Sequence, residues 1–286
     1  MRINNYFLGA GWFVLSLISS VMNDIISKYI GYEIHPLEVA FFRFLFSALT
    51  LLPFILYYGP KTIKSSAPTV HFFRGLILFF GISAWTYGLS VAPLATATLI
   101  SFTIPLFTLI LAFFFLNEKI IWQRWVATII GFIGIGIASG AVNSEFQLSS
   151  MIFVISAIGF ALLDIINKQF VIKETMTSML FYSALVTALL AFIPAAYFWK
   201  NPSMTQIFLF FILGGSANLI LFFILKAFSL IDATAIAPYR YLELFMSSFL
   251  GYFLFSEIPT MNLFYGALII IPSTLFIVYS ENTKKS

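Results

Sequence analysis

The pentapeptide Asp-Ile-Ile-Ser-Lys at residues 24–28 returns with one change as Asp-Ile-Ile-Asn-Lys at residues 164–168. The two stretches begin 140 positions apart, about half of the 286-residue chain, and each lies near the end of the first apolar segment of its half. A charged pattern duplicated inside apolar sequence indicates two copies of one structural unit. In membrane proteins, such repeats are typical of transporters that alternate access to a central site.

The composition defines the class of protein. Hydrophobic residues make up 61% of the chain and charged residues only 9%, with a mean hydropathy of +1.01, whereas a soluble domain carries roughly 25% charged residues. Apolar runs of roughly 20 residues recur, the length a helix needs to cross about 30 Å of hydrocarbon. The chain is therefore predicted to be an all-α membrane protein. It has no cysteine, so no disulfide or thiolate metal site is expected.

The breaks between apolar segments predict ten transmembrane helices, near residues 6–29, 36–58, 70–91, 94–116, 121–140, 148–170, 176–198, 205–228, 232–255 and 260–280. Residues 1–142 then form one five-helix repeat and residues 143–286 a second. Lysine and arginine concentrate at one set of helix ends, which the positive-inside rule assigns to the cytoplasm together with both termini. Because five is odd, the two repeats must insert in opposite senses, as an inverted repeat.

Two stretches of the first half resemble the end of an EamA domain, the repeat unit of the drug/metabolite transporter superfamily. They are residues 103–118, which begin Thr-Ile-Pro-Leu-Phe, and the glycine-rich run Gly-Phe-Ile-Gly-Ile-Gly at residues 131–136. The second half has a weaker version between Glu243 and Glu257, without a counterpart of Pro105. The resemblance covers essentially the whole chain and implies two inverted five-helix repeats around a central cavity.

Five shorter stretches are similar to the S-adenosylmethionine uptake transporters of obligate intracellular bacteria. They are Phe-Phe-Arg-Phe at 41–44, Arg-Gly-Leu at 74–76, Trp-Thr-Tyr-Gly-Leu at 85–89, Ile-Trp-Gln-Arg-Trp at 121–125 and Ala-Pro-Tyr-Arg-Tyr-Leu-Glu at 237–243. This resemblance implies import of S-adenosylmethionine through a bacterial inner membrane, in exchange for S-adenosylhomocysteine, by alternating access. The partners it implies are these two small molecules and the lipid bilayer, with no nucleic acid.

The protein is predicted to be a secondary transporter, which does not use ATP. No G-x-x-x-x-G-K-[ST] loop for ATP occurs in the chain, and no cofactor is expected. The sulfonium of S-adenosylmethionine carries one more positive charge than S-adenosylhomocysteine, so a potential that is negative inside would favour import by about 2.3 kcal/mol per 100 mV. Gly136 and Gly140 have a small-xxx-small spacing, which allows close helix approach within one subunit or in a homodimer.

Two alternatives differ in cargo and in class. An exporter of amino acids, drugs or other amphipathic metabolites would use the same scaffold, because one transporter fold serves many substrates. An intramembrane enzyme would need a nucleophile and base, or metal ligands, inside the bundle. The chain has no cysteine, no H-E-x-x-H and no G-x-S-x-G. We therefore expect neither an enzyme nor any catalytic or metal-binding residue.

Ionisable residues within predicted spans are the first candidates for substrate contacts, because each is costly in lipid unless it is paired or hydrated. Arg43 lies in the second helix, and Arg240 and Glu243 lie in the ninth, three residues apart on one helix face. These last two either neutralise one another or bind substrate. Pro238 precedes them, and interrupted helices at mid-membrane are where transporters place binding groups.

Aromatic and polar side chains beside these charges are the second group of candidates: Trp85, Tyr87, Tyr239, Tyr241 and Asn23. The rings suit a cation or an adenine, although packing is the alternative role. Asn23 belongs to a polar stripe on the first helix, which faces either a neighbouring helix or the pathway. For S-adenosylmethionine, the sulfonium is expected against a ring, the ammonium at Glu243, and the carboxylate at Arg240 or Arg43.

The duplicated signature contains two further pairs, Asp24 with Lys28 and Asp164 with Lys168. Each pair has the i, i+4 spacing of a local salt bridge, and the lysines can extend to the membrane interface. One interpretation is that both pairs are structural and orient the first helix of each repeat. The other is that they are gating contacts, which break and re-form between the two transport states.

Overall fold

The computed structural model describes residues 3–31, 33–91, 101, 103–116, 121–138, 148–236, 239–240, 242–255, 261, 264–266, 268–269 and 271–273. These residues form helices and connecting turns. The helices are α1 (Ile3–Gly31), α2 (Pro36–Tyr58), α3 (Pro68–Val91), α4 (Ile104–Phe115), α5 (Trp122–Ala138), α6 (Leu148–Phe170), α7 (Met176–Tyr197), α8 (Met204–Leu230), α9 (Ala233–Ile236) and α10 (Leu242–Phe255).

Six helices within the described ranges, namely α1, α2, α3, α6, α7 and α8, are long and apolar enough to cross a membrane. Their bounds agree with the predicted spans to within a few residues. Large apolar side chains such as Phe114 and Leu189 cover the outside of the bundle and are exposed, as expected of lipid-facing positions. The chain is therefore an all-helical, multi-pass membrane protein.

The remaining predicted spans are shorter or interrupted in the part that the structure describes. Helices α4 and α5 contain 12 and 17 residues. Within the predicted span 232–255 the structure describes α9, Tyr239, Arg240 and α10. Pro238, which was predicted to break the helix, lies outside the described residues, so that break stays a prediction. Residues 94–100 of the fourth predicted span lie outside them as well.

Local sequence explains where the long helices begin. Pro36 and Pro68 occupy first-turn positions, where a missing N–H costs nothing. The Thr175 hydroxyl caps α7 by accepting a hydrogen bond from the Ser178 N–H, at 3.1 Å. Ser203 and Gln206 form a reciprocal capping box at the start of α8. These signals separate helices that hydrophobicity alone would leave joined.

The helices pack as a bundle in which α1 lies along α8, α2 along α7 and α3 along α6, with further contact between α2 and α8 and between α3 and α7. Gly214 of α8 allows a close approach, because a Cβ there would lie 2.6 Å from the backbone carbon of Phe46. Next to it, Asn218 Nδ2 donates to the Ser47 carbonyl at 2.7 Å, and the Ser47 hydroxyl donates to Asn218 Oδ1 at 2.7 Å. Polar side chains thus join α2 to α8 inside the bundle.

At one end of the bundle, a cluster of hydrogen bonds surrounds Glu174, in the turn before α7. Its Oε1 accepts from the Ser66 N–H at 3.0 Å and from the Ser66 hydroxyl at 2.7 Å. Its Oε2 lies 3.4 Å from His71 Nε2 and accepts from the Ser178 hydroxyl at 3.3 Å. Burial opposes ionisation of this carboxyl, but bonds from Ser66, Ser65 and His71 outweigh it and lower the pKa of Glu174 to about 2.

Arg74 lies beside this cluster and is almost completely buried. Its Nε and Nη2 donate to Asn167 Oδ1 at 3.0 and 2.7 Å, and its Nη1 donates to the Met179 carbonyl at 3.3 Å. The guanidinium therefore joins α3, α6 and α7. A buried charge requires partners of this kind.

The opposite end of the bundle has a sparser set of contacts around Glu38, in the first turn of α2. Glu38 Oε2 accepts from the Lys200 N–H at 3.1 Å, whereas its buried Oε1 meets no hydrogen-bond partner among the described residues. The Lys200 ammonium donates to the Glu33 carbonyl at 2.9 Å, and Gln206 Nε2 donates to Glu33 Oε2 at 2.6 Å. These contacts join the α1–α2 turn to the start of α8.

Candidate functional site

A cavity of about 220 Å³ lies inside the bundle. Side chains from α1, α2, α3, α4, α6, α7, α8 and α10 contribute to its wall, and most of them are apolar. Six ionisable residues from the described part of the chain also line it: Asp24, Lys28, Arg43, Asp164, Arg240 and Glu243. Acidic and basic groups are thus present in equal number among these lining residues.

Helix α1 faces the cavity with one of its polar edges. Ser16, Ser20 and Asp24 follow one another at intervals of four residues, and all three line the cavity. Asn23, predicted as a substrate contact, faces α8 instead and is fully buried there. Its Nδ2 donates to the Leu213 carbonyl at 2.9 Å and to the Ser216 hydroxyl at 2.7 Å. Hydrogen bonding between α1 and α8 therefore accounts for the buried amide of Asn23.

Arg240 forms an ion pair with Asp164 across the bundle, between α6 and the turn that precedes α10. Its guanidinium carbon also lies 5.4 Å from the centre of the Phe13 ring. The predicted local pair of Asp164 with Lys168 is replaced by this longer-range contact. The Lys168 ammonium instead donates to the carbonyls of Phe228 and Ile231 at the end of α8, where a cation complements the helix dipole.

Glu243 lies in the first turn of α10 and faces α1. Its carboxylate lies near the Ser20 side chain and within electrostatic range of Arg240, and all three residues line the cavity. The sequence placed Arg240 and Glu243 on one helix face, with an intrahelical pair as one interpretation. Arg240 instead has its direct contact with Asp164, so the two residues face the cavity with different partners.

The charges nearest Asp24 among the cavity residues are those of Glu243 and Arg43. The Trp85 side chain, whose indole N–H is a donor, also lies near the Asp24 carboxylate. The Arg43 guanidinium carbon lies 5.6 Å from the centre of the Phe44 ring. The buried Nε of Arg43 has no hydrogen-bond acceptor among the residues that the structure describes. Lys28 lines the cavity one turn beyond Asp24.

The structure separates the four predicted aromatic contacts. Trp85 lines the cavity and is held edge-on by Phe153 and Phe160, with ring centres 5.4 and 6.2 Å away. Tyr87 is 45% exposed and does not line the cavity. Tyr239 is buried with its hydroxyl 3.3 Å from that of Tyr6, also away from the cavity wall. Tyr241 lies outside the described residues.

Several lining residues were not predicted as site residues: Phe160, Asn167, Ser183 and Asn218. Asn167 stands inside the duplicated signature, so the sequence did contain a signal for it. Ser183 and Phe160 look like ordinary small and aromatic residues of apolar helices, and only the bundle geometry distinguishes them. Among the described residues, no group of three or more His, Asp or Glu side chains could hold a metal ion.

A cavity of this composition suits a small amphipathic molecule that carries charges of both signs. Ionisable groups kept at membrane depth around a cavity mark a substrate pathway. A multi-pass helical bundle with such a cavity has the architecture of a membrane transporter.

Comparisons with known proteins give the same class. Residues 7–140 match the EamA-like transporter family. The chain is 58% identical over 284 residues to the S-adenosylmethionine uptake transporter of Rickettsia bellii, covering 99% of this chain and 98% of that protein. It is 55% identical to the protein of the same name in Rickettsia prowazekii, covering 99% and 97%.

More distant matches extend across the family. A riboflavin transporter of Rhizobium johnstonii is 26% identical, covering 96% of this chain and 92% of that one. One solved crystal structure superposes with a TM-score of 0.80 at 16% identity, covering 100% of both chains; a likeness at that identity shows the fold alone. The chain belongs to the EamA-like transporter family, together with the S-adenosylmethionine uptake transporters of Rickettsia.

Proposed function

We propose that this protein imports S-adenosylmethionine. The observation that carries the proposal is the identity of 55–58% over nearly full length with four Rickettsia proteins that bear this function in their name. The cavity supports it, because acidic and basic side chains beside Trp85 suit a ligand with a cationic sulfonium, a zwitterionic amino-acid end and a flat adenine. Of the predicted contacts, Arg43, Trp85, Arg240 and Glu243 contribute to this wall.

Exchange for S-adenosylhomocysteine is the proposed mode of transport. The outgoing molecule lacks the methyl group and the sulfonium charge, so each cycle moves one net positive charge inward. An interior-negative potential then favours import by about 2.3 kcal/mol per 100 mV. The chain contains no P-loop for ATP, which is consistent with a secondary transporter.

Two inverted repeats, residues 1–142 and 143–286, are the proposed architecture behind alternating access. The supporting contacts come in equivalent pairs. Glu38, at the start of α2, accepts from the backbone N–H of Lys200 in the turn before α8. Glu174, in the turn before α7, accepts from the backbone N–H of Ser66 in the turn before α3. Likewise α1 packs on α8 as α6 packs on α3. Such exchange of equivalent contacts is what a two-fold axis in the membrane plane produces.

The proposed location is a bacterial inner membrane, with both termini in the cytoplasm. The loop between α2 and α3 contains Lys61 and Lys64, and the turn after α6 contains Lys173. The positive-inside rule then places the Glu174 cluster at the cytoplasmic end and the Glu38 contacts at the outer end. In this orientation the two clusters are the proposed gates of the central cavity.

Uptake by purified protein in proteoliposomes tests the function. We expect saturable entry of labelled S-adenosylmethionine, accelerated when the vesicles contain S-adenosylhomocysteine and when the interior is negative. Empty vesicles are the control for leakage, and vesicles with the Glu243→Ala variant, which removes a cavity carboxylate, should show reduced uptake. Folded protein that transports no S-adenosylmethionine under either loading would refute the proposal, and uptake of amino acids instead would favour the metabolite-exporter alternative.

A further inference from the structure

We propose that Asp24 and Arg43 bind the ammonium and the carboxylate of the substrate's amino-acid end, whereas Arg240 and Asp164 hold one another and do not bind substrate. This inference rests on the proposed function, because it assigns a part of that substrate to a part of the cavity. It also revises the expectation from the sequence, which placed these two ligand groups at Glu243 and at Arg240 or Arg43.

Two arginine–aspartate pairs line the cavity, Arg240 with Asp164 and Arg43 with Asp24. Among the described residues, only the first pair is in direct contact. Arg240 and Asp164 are in direct contact as an ion pair, and the Phe13 ring lies against the guanidinium. A substrate carboxylate could reach Arg240 only by competing with Asp164. Separating a buried ion pair leaves an uncompensated charge, which is strongly unfavourable. This pair is therefore already satisfied within the protein.

Arg43 differs from Arg240 in what its guanidinium meets. Its Nε N–H is buried and has no acceptor within the described part of the chain, and its side chain lines the cavity. A buried donor without an acceptor is unfavourable until an acceptor arrives. A ligand carboxylate can supply two oxygens to the planar guanidinium and form parallel charge-assisted hydrogen bonds. The carboxylate of an amino acid fits this requirement.

Asp24 is in place to bind the opposite charge. Its carboxylate lies near the Trp85 indole and within electrostatic range of Arg43 and Glu243, and all four residues line the cavity. An ionised carboxylate has roughly four lone-pair positions for hydrogen bonds, so an ammonium group can join without displacing Trp85. The Trp85 and Phe160 rings, with centres 6.2 Å apart, line the same cavity.

The adjacency of the two charges selects for a zwitterion. A ligand with only a carboxylate would occupy Arg43 and draw it from Asp24, whereas a ligand with only an ammonium would leave the Arg43 Nε without its acceptor. A ligand with both charges compensates both residues at once. We therefore expect the site to favour adenosine compounds that carry an α-amino acid over those that lack it.

Binding of two ligands to purified protein tests this assignment. S-adenosylhomocysteine carries the amino-acid end, whereas 5′-methylthioadenosine lacks it. In the wild type we expect S-adenosylhomocysteine to bind at least about 100-fold more tightly, a modest ratio beside the roughly 10⁴–10⁵-fold reached when buried polar groups would otherwise stay unpaired. Asp24→Asn and Arg43→Gln should each reduce this ratio at least tenfold, while the Kd for 5′-methylthioadenosine stays within about twofold and so shows that each variant is folded.

Asp164→Asn and Arg240→Gln are the matched controls, because they make the same chemical changes in the pair that is in direct contact. They should lower thermal stability and leave the ratio of the two affinities unchanged. Decarboxylated S-adenosylmethionine, which keeps the ammonium but not the carboxylate, should bind Arg43→Gln as well as it binds the wild type. It should bind Asp24→Asn more weakly.

The outcomes separate the inference from the function. A wild type that binds S-adenosylhomocysteine, with a ratio unaffected in Asp24→Asn and Arg43→Gln, overturns the inference and leaves the proposed function standing. Loss of the ratio in Arg240→Gln instead would assign the carboxylate to Arg240 and also overturn it. A folded wild type that binds neither S-adenosylmethionine nor S-adenosylhomocysteine would refute the proposed function and the inference together.

Discussion

Replacement of Glu174 by glutamine should destabilise the predicted cytoplasmic end of the bundle. The two carboxylate oxygens share four contacts, two from Ser66 on Oε1 and one each from Ser178 and His71 on Oε2. Glutamine keeps one oxygen but presents an amide NH₂ to the donors on the other side. Hydrogen bonds to a charged group contribute about 1.5–3 kcal/mol each, so we expect a loss of about 3 kcal/mol in the free energy of unfolding.

The lowered pKa of Glu174 gives a similar magnitude for the stabilisation free energy. Its displacement from 4.5 to about 2 corresponds to about 3 kcal/mol, at about 1.4 kcal/mol per pKa unit. Because the folded pKa lies below the ordinary value, this stabilisation is fully present above about pH 4.5 and is lost as the pH falls toward 2. Wild type and Glu174→Gln should therefore differ most at neutral pH and converge as the pH approaches 3.

Thermal unfolding in detergent at a fixed scan rate, repeated from pH 7 to pH 3, measures this difference. Glu38→Gln is the matched control, because Glu38 accepts one hydrogen bond from Lys200 and its buried Oε1 meets no partner in the described ranges. Neutralising a poorly compensated buried carboxylate costs little or stabilises. Equal destabilisation by the two substitutions, or a Glu174→Gln effect that does not shrink with falling pH, would refute the reasoning.

Two further predictions concern helix packing and follow from single contacts. Arg240→Ala leaves Asp164 buried without its ion-pair partner and should lower the free energy of unfolding by about 3–5 kcal/mol. The double variant Arg240→Ala with Asp164→Asn should recover part of this loss in thermal unfolding. No recovery would argue against a direct pair. Gly214→Ala should separate α2 from α8, because its Cβ would lie 2.6 Å from the Phe46 backbone. Gly215→Ala meets nothing within 4 Å and should be neutral or stabilise by up to about 1 kcal/mol; equal unfolding temperatures for the two alanine variants would contradict the packing.

The helices were predictable because one physical requirement dominates the sequence. A span needs about 20 apolar residues, and the breaks between spans carry glycine, proline and capping residues that can be recognised directly. The predicted spans 36–58 and 148–170 coincide with α2 and α6. The cavity charges Arg43, Arg240 and Glu243 were also predictable, since each is conspicuous in apolar sequence.

The partners of those charges were not predictable. Sequence spacing favoured Lys168 for Asp164, because a helix makes only its i, i+3 and i, i+4 relations visible in the sequence, whereas Arg240, 76 residues away, is the actual partner. The side of a helix that faces a neighbour is equally hidden. Asn23 and Asp24 are adjacent in the chain, yet the first bonds to α8 and the second lines the cavity. The exposed position of Tyr87 could not be read from the sequence either.

The central claim is that S-adenosylmethionine passes through this cavity, and protection of a single cysteine tests it most directly. The natural chain has no cysteine, so Ala217→Cys, on the cavity wall, is the only thiol in the variant. A charged thiol reagent should inactivate uptake, and S-adenosylmethionine should slow the modification at the concentrations that half-saturate uptake. Asn201→Cys, exposed in the turn before α8, should react equally fast with and without it. Modification of Ala217→Cys that neither blocks uptake nor is slowed by S-adenosylmethionine, in a variant that still transports it, would contradict the account.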